Sequence, residues 1–121
     1  MEHDDARKGG PGKAESQLRK GVLEYCVLGL LRDSPRYGVE LLEMLGSVSV
    51  MTTSQGTIYP LLSRLRREGL VETSWQESRS GPPRRYYDLT LRGQAALKEF
   101  TDIWPQFRDA VDQFTTDRPI Y

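Results

Sequence analysis

The sequence is poor in the residues that build covalent and metal-dependent sites. Its 121 residues include one cysteine, Cys26, and one histidine, His3, so a single chain can form neither an intrachain disulfide nor a zinc site. No segment reaches the ~20 apolar residues that cross a bilayer, and the charged N-terminus lacks the apolar core of a signal peptide. We therefore expect a cytoplasmic protein with no metal, no cofactor and no membrane partner, in which Cys26 is a small buried hydrophobe.

The sequence also lacks the groups of an enzyme active site. It has no nucleophile beside a base, no phosphate-binding glycine loop and no paired carboxylates in an apolar setting, so we expect no catalytic site. The nearest carboxylate pair, Glu40 and Glu43, falls on the outer face of a predicted helix. Basic and acidic residues number 17 each, which argues against indiscriminate binding to polyanions but permits a local basic face.

The stretch Ser54–Val71 has the pattern of an amphipathic helix with a polar outer face. Its apolar residues follow the i, i+3, i+4, i+7 spacing of one helical stripe: Ile58, Leu61, Leu62, Leu65 and Leu70. Its other face offers amide, hydroxyl and guanidinium groups, which contact base edges and phosphates in nucleic-acid complexes. Ser54 is expected to cap the helix, Gly69 to end it in the left-handed conformation, and Pro60 to make its first turns irregular. By itself the pattern fits either an ordinary core helix or a helix that binds nucleic acid.

The segments around this helix predict a mainly α fold with a small β-hairpin. A polar leader at 1–16, expected to be disordered, is followed by helices at 17–32 and 35–45 and by a brief strand within 47–53. Alternating patterns then predict strands at 70–76 and 85–90 around a Pro-rich basic turn, with one of Tyr86 and Tyr87 packed on the core. This order is that of a winged helix-turn-helix at 17–90, in which the third helix enters a major groove and the hairpin tip lies over phosphate or minor groove.

The last segment, 91–116, predicts a long dimerisation helix before a short tail at 117–121. Its apolar residues follow a heptad repeat: Leu97, Phe100, Trp104, Phe107, Val111 and Phe114. Because the preceding domain can close its own core, this stripe needs another partner, and a second copy of the chain supplies one in a two-fold dimer. Pro105 should kink the helix or break it in two near Trp104.

Three segments together resemble the PadR family of bacterial transcriptional regulators, in its smaller subtype with a single C-terminal helix. They are GVLEYCVLGLLRDSPRYG at Gly21–Gly38, GTIYPLLSRLRREGLV at Gly56–Val71 and GPPRRYYDLT at Gly81–Thr90. The resemblance extends roughly from Leu18 to Phe114. It implies a homodimeric repressor that binds a palindromic operator in double-stranded DNA, is associated with the nucleoid through that DNA, and releases it when a small ligand binds.

The resemblance also implies roles for individual residues. Those implied to contact DNA are Tyr37, Ser54, Gln55, Thr57, Tyr59, Arg64, Arg66, Arg79, Arg84 and Arg85. Of these, the third-helix residues as far as Tyr59 would enter the groove, while Arg64 and Arg66 would lie near phosphates. Trp104, with Phe107 beside it, would stack on a flat aromatic effector between subunits, although Trp104 fits equally well as an aromatic of the dimer core. Asp88 departs from the family pattern, since many relatives have a basic or neutral residue there.

The alternative function is a winged helix that binds other proteins and has no specific DNA site. The basic wing and the polar outer face of the Ser54 helix argue against this alternative. The two functions differ in one measurable property, because only a specific regulator should prefer its own promoter DNA over a scrambled duplex.

Overall fold

The structure, a computed structural model, describes residues 11–117 and has the predicted mainly helical architecture with a small antiparallel sheet. Its elements are α1 (Pro11–Leu30), β1 (Arg36–Tyr37), α2 (Gly38–Gly46), a short 3₁₀ helix (Ser49–Met51), α3 (Gln55–Arg67), β2 (Val71–Ser78), β3 (Gly81–Leu89) and α4 (Leu91–Thr115). Among the helices of residues 11–117, none combines the length and the hydrophobicity that a membrane crossing needs.

The sheet has three strands in the order β1-β3-β2, so it is larger than the predicted hairpin. β2 and β3 pair antiparallel with Trp75 opposite Arg85, and β1 adds the pairs Arg36–Tyr87 and Tyr37–Tyr86 on the other edge of β3. A strand of two residues is too short to show an alternating pattern, which is why the sequence did not reveal β1.

The hairpin turn is shorter than predicted, because β3 already begins at Gly81 and includes Pro82 and Pro83. Proline lacks an N–H and is tolerated where one edge of a strand is free. Since β1 reaches only as far along β3 as Tyr86, that edge of β3 is free at both prolines.

The core lies between α1, the helix-turn-helix and the base of the sheet. Its buried residues are Leu23, Val27, Leu28, Leu31, Leu41, Leu45, Ile58, Leu62, Leu65, Val71, Tyr87 and Leu97. Tyr87 is the buried member of the tyrosine pair and Tyr86 is only half-buried, as the alternation predicted. Cys26 packs against this core, and burial raises the pKa of its thiol, so little reactive thiolate forms at neutral pH.

Two predicted helix starts are wrong, in opposite directions. α1 begins at Pro11, so residues 11–16, expected in the leader, are helical; the rest of the leader lies outside the described residues. Arg19 supports this first part, since its guanidinium donates to Glu15 at 3.2 Å and to the Val50 carbonyl at 2.7 Å. α2 begins three residues later than predicted because residues 36–37 pair with β3 instead.

The late start of α2 changes the surroundings of its first residues. Val39, which the apolar pattern of the helix predicted at 35–45 would turn inward, lies in the first turn of α2 and is 42% exposed. The brief strand predicted within 47–53 is also wrong, because this stretch closes into a 3₁₀ helix in which the Met51 N–H donates to the Val48 carbonyl at 2.8 Å. Local hydrogen bonds therefore satisfy a backbone that no neighbouring strand reaches.

The end of α3 follows the prediction in detail. Gly69 has a φ of +78°, the left-handed conformation that glycine adopts without strain. The N–H groups of Gly69 and Leu70 donate back to the carbonyls of Arg66 and Leu65, at 3.0 and 2.9 Å. α3 itself runs without a break through Pro60, which is exposed.

α4 is one helix of 25 residues, so the predicted alternative of two shorter helices is wrong. Thr90 caps it: its side-chain oxygen accepts from the Gly93 N–H at 3.0 Å and its hydroxyl donates to the Gly69 carbonyl at 2.6 Å. The helix continues through Pro105, whose missing N–H would have paired with the carbonyl of Thr101. Thr101 is exposed, so water can satisfy that carbonyl and the helix need not end there.

Candidate nucleic-acid interface

The N-terminal turn of α3 presents polar groups to solvent while its apolar stripe faces the core. Ser54, Gln55 and Thr57 are all exposed, and Ile58 directly after them is fully buried. Ser54 occupies the N-cap position in extended conformation, but its hydroxyl donates to the Thr57 hydroxyl at 3.4 Å rather than capping the backbone. This turn therefore offers hydroxyl, amide and unpaired N–H groups on one surface, the set of donors that binds base edges and phosphates.

Tyr59 joins α3 to the start of α2. A Cβ atom added to Gly38 would lie 2.5 Å from the ring of Tyr59, so the ring packs where only glycine leaves room. Tyr59 nevertheless remains 37% exposed. The residue predicted to enter the groove thus also fixes the position of α3 against α2, which sequence reasoning did not reveal.

Arg64 is paired with two acidic residues of its own chain. Its guanidinium lies 3.0 Å from the Glu24 carboxylate of α1 and 3.3 Å from that of Glu68. The hydrogen bond to Glu24, with that to Glu68, raises the pKa of Arg64 above its ordinary value. The structure therefore does not place Arg64 with the other predicted phosphate contacts, because its donors already bind two carboxylates.

The outer face of the wing brings together three of the residues singled out in the sequence. Tyr37 lies in β1, just before α2, and its ring meets that of Tyr86 edge-on with 5.4 Å between centroids. The Arg84 guanidinium lies over the ring of Tyr37, 4.5 Å from its centroid. Guanidinium groups stacked on a ring keep their edge N–H donors available, so this arrangement can still bind an anion.

The other face of the wing presents Arg85, because successive side chains of a strand point to opposite faces. The Arg85 guanidinium lies over the ring of Trp75, its cross-strand partner, 5.1 Å from the centroid. Trp75 is 64% exposed. On this face of the wing, next to α3, the Arg85 guanidinium therefore covers the ring of Trp75.

Two further wing residues lie at its ends. Arg79 is exposed in the turn at the tip of the wing. Asp88 lies at the base of the wing, where its carboxylate accepts from the Leu89 N–H at 2.8 Å and stands opposite Glu72. Asp88, the residue that departs from the family pattern, therefore lies four residues along β3 from Arg84.

The structure adds two residues that were not among the predicted contacts. Ser63 and Arg67 of α3, with Arg66, line an open cleft of about 340 Å³ whose other wall is Arg85 and Tyr87 of β3. The sequence placed Ser63 and Arg67 on the outer face of α3, but only the packing of α3 beside β3 reveals that they face Arg85.

The heptad residues of α4 divide into a pair that packs within the subunit and an exposed set. Leu97 is 8% exposed and belongs to the domain core. Phe100 stacks on Tyr25 of α1, with 4.4 Å between centroids, and on Trp104, at 5.5 Å. These first two heptad residues, expected in the dimer interface, therefore pack at least in part within their own subunit.

The remaining heptad residues form an apolar surface, which we call the C-terminal seam: Trp104, Phe107, Val111 and Phe114. Their exposed fractions are 40, 62, 54 and 81%. The seam borders an apolar groove of about 880 Å³ between α4 and α1, whose opposite wall includes Leu18 and Val22. Side chains this large and this exposed on one helical face are typical of an interaction surface.

Comparisons with known proteins agree with this fold. Residues 27–99 match the model of the Transcriptional regulator PadR-like family. A padr family transcriptional regulator from Eggerthella lenta is 31% identical and superposes with a TM-score of 0.81, over 98% of this chain and 99% of that one.

Two further crystal structures are similar. A PadR-like transcriptional regulator from Bacillus cereus is 36% identical, with a TM-score of 0.75 over 84% of this chain and 99% of its own. A PadR-like transcription factor from Bacteroides fragilis is 38% identical, with a TM-score of 0.69 over 85% of this chain and 99% of its own.

Proposed function

Because this chain belongs to the PadR-like family of transcriptional regulators, and is therefore a DNA-binding regulator rather than an enzyme, we propose that it is a homodimeric repressor. It binds a palindromic operator in double-stranded DNA and releases it when a small aromatic effector binds at the dimer interface. It acts in the cytoplasm of a bacterium, on the nucleoid.

The observation on which this proposal chiefly rests is the exposed C-terminal seam. Phe107 and Phe114 lie one heptad apart and are 62 and 81% exposed, on a helix whose earlier turns pack on α1. Burying such rings against a second copy removes apolar area from water at about 25 cal/mol per Å². A two-fold axis through the seam pairs like surfaces, which is the commonest symmetry of soluble oligomers.

The DNA-contacting surface in this proposal consists of the N-terminal turn of α3 and the wing. The residues assigned to the major groove are Ser54, Gln55, Thr57 and the exposed edge of Tyr59. The residues assigned to the sugar-phosphate backbone are Tyr37, Arg66, Arg79, Arg84 and Arg85. Arg64 is omitted, since its guanidinium is bound to Glu24 and Glu68.

The effector site in this proposal is the groove between α1 and α4 beside Trp104. The ring of Trp104 is stacked on one side by Phe100 and is 40% exposed, so a flat ligand can extend the stack. The groove volume of about 880 Å³ lies within the range of small-molecule sites. Phe107 is the second aromatic side chain assigned to this site.

The effector acts by changing the angle between subunits, so that the two α3 helices no longer match successive major grooves. A ligand can shift this equilibrium only if it binds one dimer shape more tightly than the other. By linkage, operator DNA must then weaken effector binding by the same factor.

The experiment that tests the function titrates the purified protein against its own promoter DNA and against a scrambled duplex, at several salt concentrations. We expect tight binding to the promoter and weak, steeply salt-dependent binding to the scrambled duplex. Equal, weak binding to both duplexes would instead support the protein-interaction module, and promoter binding by a monomer would contradict the dimer.

A further inference from the structure

The cleft between α3 and β3 is lined by three arginines. Arg66, Arg67 and Arg85 all line it, together with the hydroxyl of Ser63. None of the three forms an ion pair within residues 11–117, in contrast to Arg64 on the same helix. Like charges gathered in one cleft repel each other, so the cleft is more stable with an anion between them.

Arg85 has a side-chain donor without a partner. Its Nε atom is buried from solvent and finds no hydrogen-bond acceptor among the described residues. A buried donor without an acceptor costs folding free energy, which a shift of the Arg85 side chain towards an anion oxygen in the cleft would relieve. The Trp75 ring lies under the Arg85 guanidinium at 5.1 Å, which restricts the rotamers of a long side chain.

We propose that Ser63, Arg66, Arg67 and Arg85 form one subsite for a single phosphate of the DNA backbone, and that Trp75 is the positioning residue that holds Arg85 over it. This inference rests on the proposed function, because it assumes that the duplex lies against α3 and the wing. The open cleft lies between these two elements, so a backbone following the wing would pass over it.

The number of phosphates that the protein neutralises can be counted from the salt dependence of binding, whose logarithmic slope falls by about 0.9 for each phosphate left without its cation. The triple variant Arg66→Gln/Arg67→Gln/Arg85→Gln should reduce the slope by about 0.9, since all three residues hold the same phosphate, whereas three separate phosphates would give about 2.7. Adding Arg84→Gln to the triple variant should bring the reduction to about 1.8, since Arg84 follows the opposite face of β3 and holds a second phosphate.

The matched control is Lys98→Gln, which removes one positive charge from α4 far along the chain from the subsite. Lys98 is exposed and paired with Asp102 at 2.9 Å, so its variant should keep the slope of the unaltered protein. Thermal unfolding of each variant separates loss of fold from loss of phosphate binding. A slope change of about 2.7 in the triple variant, or none beyond the control, would overturn the subsite.

A separate test distinguishes a positioning role of Trp75 from a purely structural one. Trp75→Ala should weaken operator binding by roughly tenfold, the equivalent of one charged hydrogen bond, and Trp75→Phe should restore most of it. In the Arg85→Gln background Trp75→Ala should have no further effect. An equal loss in both backgrounds, or no loss in either, would contradict the positioning role.

Two further outcomes distinguish this inference from its alternatives. If the unaltered protein fails to bind its operator, both this subsite and the proposed function are wrong; if it binds while the variants behave as the control, only the subsite is wrong. Inorganic phosphate in large excess should raise the melting temperature in the absence of DNA, because a phosphate oxygen relieves the repulsion between the arginines, and the triple variant should lose this rise. If the triple variant loses the rise but keeps the operator slope of the control, the cleft is a site for a free anion and the assignment to DNA is overturned.

Discussion

At the scale of single residues, the arginines of this protein differ by the groups around them. Arg64 donates to two carboxylates through both of its terminal nitrogens, so acidic side chains balance its charge. Arg84 and Arg85 lie over aromatic rings, which hold the guanidinium without using its N–H groups. Arginine therefore links α3 to α1 at position 64, and it remains available to bind an anion at positions 84 and 85.

Replacing Arg64 by Gln should lower the stability of the fold without changing the salt dependence of DNA binding. The ion pairs are partly exposed, so we expect a loss of about 0.5–1 kcal/mol in the free energy of unfolding, measured by urea titration. Arg66→Gln is the matched control on the same helix: it should leave stability unchanged and weaken operator binding. A lower slope in Arg64→Gln would place Arg64 among the phosphate contacts after all.

Gln55 should determine sequence preference, because its amide is exposed in the first turn of α3. Gln55→Ala should cost roughly 1–3 kcal/mol on the preferred operator and less on operators altered at the contacted base pair. Competition titrations against a set of single base-pair substitutions measure this directly. A uniform loss on every duplex would mean that Gln55 contacts only the backbone.

Trp104 should report on effector binding through its fluorescence. A screen of flat aromatic compounds should find ones that quench tryptophan emission, and Trp104→Leu should remove the quenching while keeping the seam apolar. Trp75→Phe is the control, because Trp75 lies in the wing and its loss should leave the quenching intact. Quenching that survives Trp104→Leu would leave Trp104 as an aromatic of the dimer core alone.

At the scale of elements, α4 has two halves with different surroundings although one heptad pattern runs through both. Its first half packs on α1 through Leu97 and Phe100, whereas its second half extends beyond the domain with its apolar face exposed. The change occurs because the core ends near Phe100, while the helix continues for about four further turns. The first part of the heptad pattern therefore packs within the subunit, and in the proposed dimer the second part packs against the other copy.

Polar substitutions should separate these two roles. Phe107→Ser and Phe114→Ser should reduce the solution mass to that of a monomer at micromolar concentration while the helical circular dichroism persists. Leu97→Ala is the contrasting variant, since it opens a cavity in the core and should cost roughly 2–5 kcal/mol of stability. If both serine variants remained dimeric, the seam would not be the interface.

At the scale of the whole molecule, the proposed regulation requires a fixed distance between two copies of α3. A two-fold dimer that reads successive major grooves on one side of the duplex holds them about 34 Å apart, one turn of DNA. The wing and α3 lie on one domain and the seam on the last helix, so in the proposed dimer the angle between subunits would control whether both α3 helices engage together. The proposed effector, bound in the groove beside the seam, would change that angle without touching DNA.

The spacing of the operator half-sites should therefore be strict. Inserting about 5 bp between them, half a turn, should reduce affinity to that of an isolated half-site because one α3 then faces the wrong side of the duplex. Inserting bases outside the half-sites is the control and should have no effect. Mobility-shift titrations over such a series give the measurement, and equal affinity at every spacing would contradict a rigid dimer.

The features that depend on neighbouring residues could be predicted from the amino-acid order alone. The order of the helices, the apolar stripe of α3, the glycine that ends it and the alternation that buries Tyr87 all follow from local periodicity and backbone preference, and the structure has them. The family resemblance could be recognised from the sequence for the same reason, because the three segments that carry it are local patterns at fixed spacing.

The meeting of distant residues became visible only in the folded molecule. Glu24, the partner of Arg64, is forty residues away on α1. β1 forms because Arg36 and Tyr37 pair with the distant strand β3. Arg67 and Arg85 line the same cleft because α3 packs beside the wing. No periodicity encodes such pairings, because each depends on how whole elements pack against one another. The same holds for α4, whose heptad pattern does not show where the core ends. The end of the core separates a first half whose apolar face packs on the domain from a second half whose apolar face is exposed.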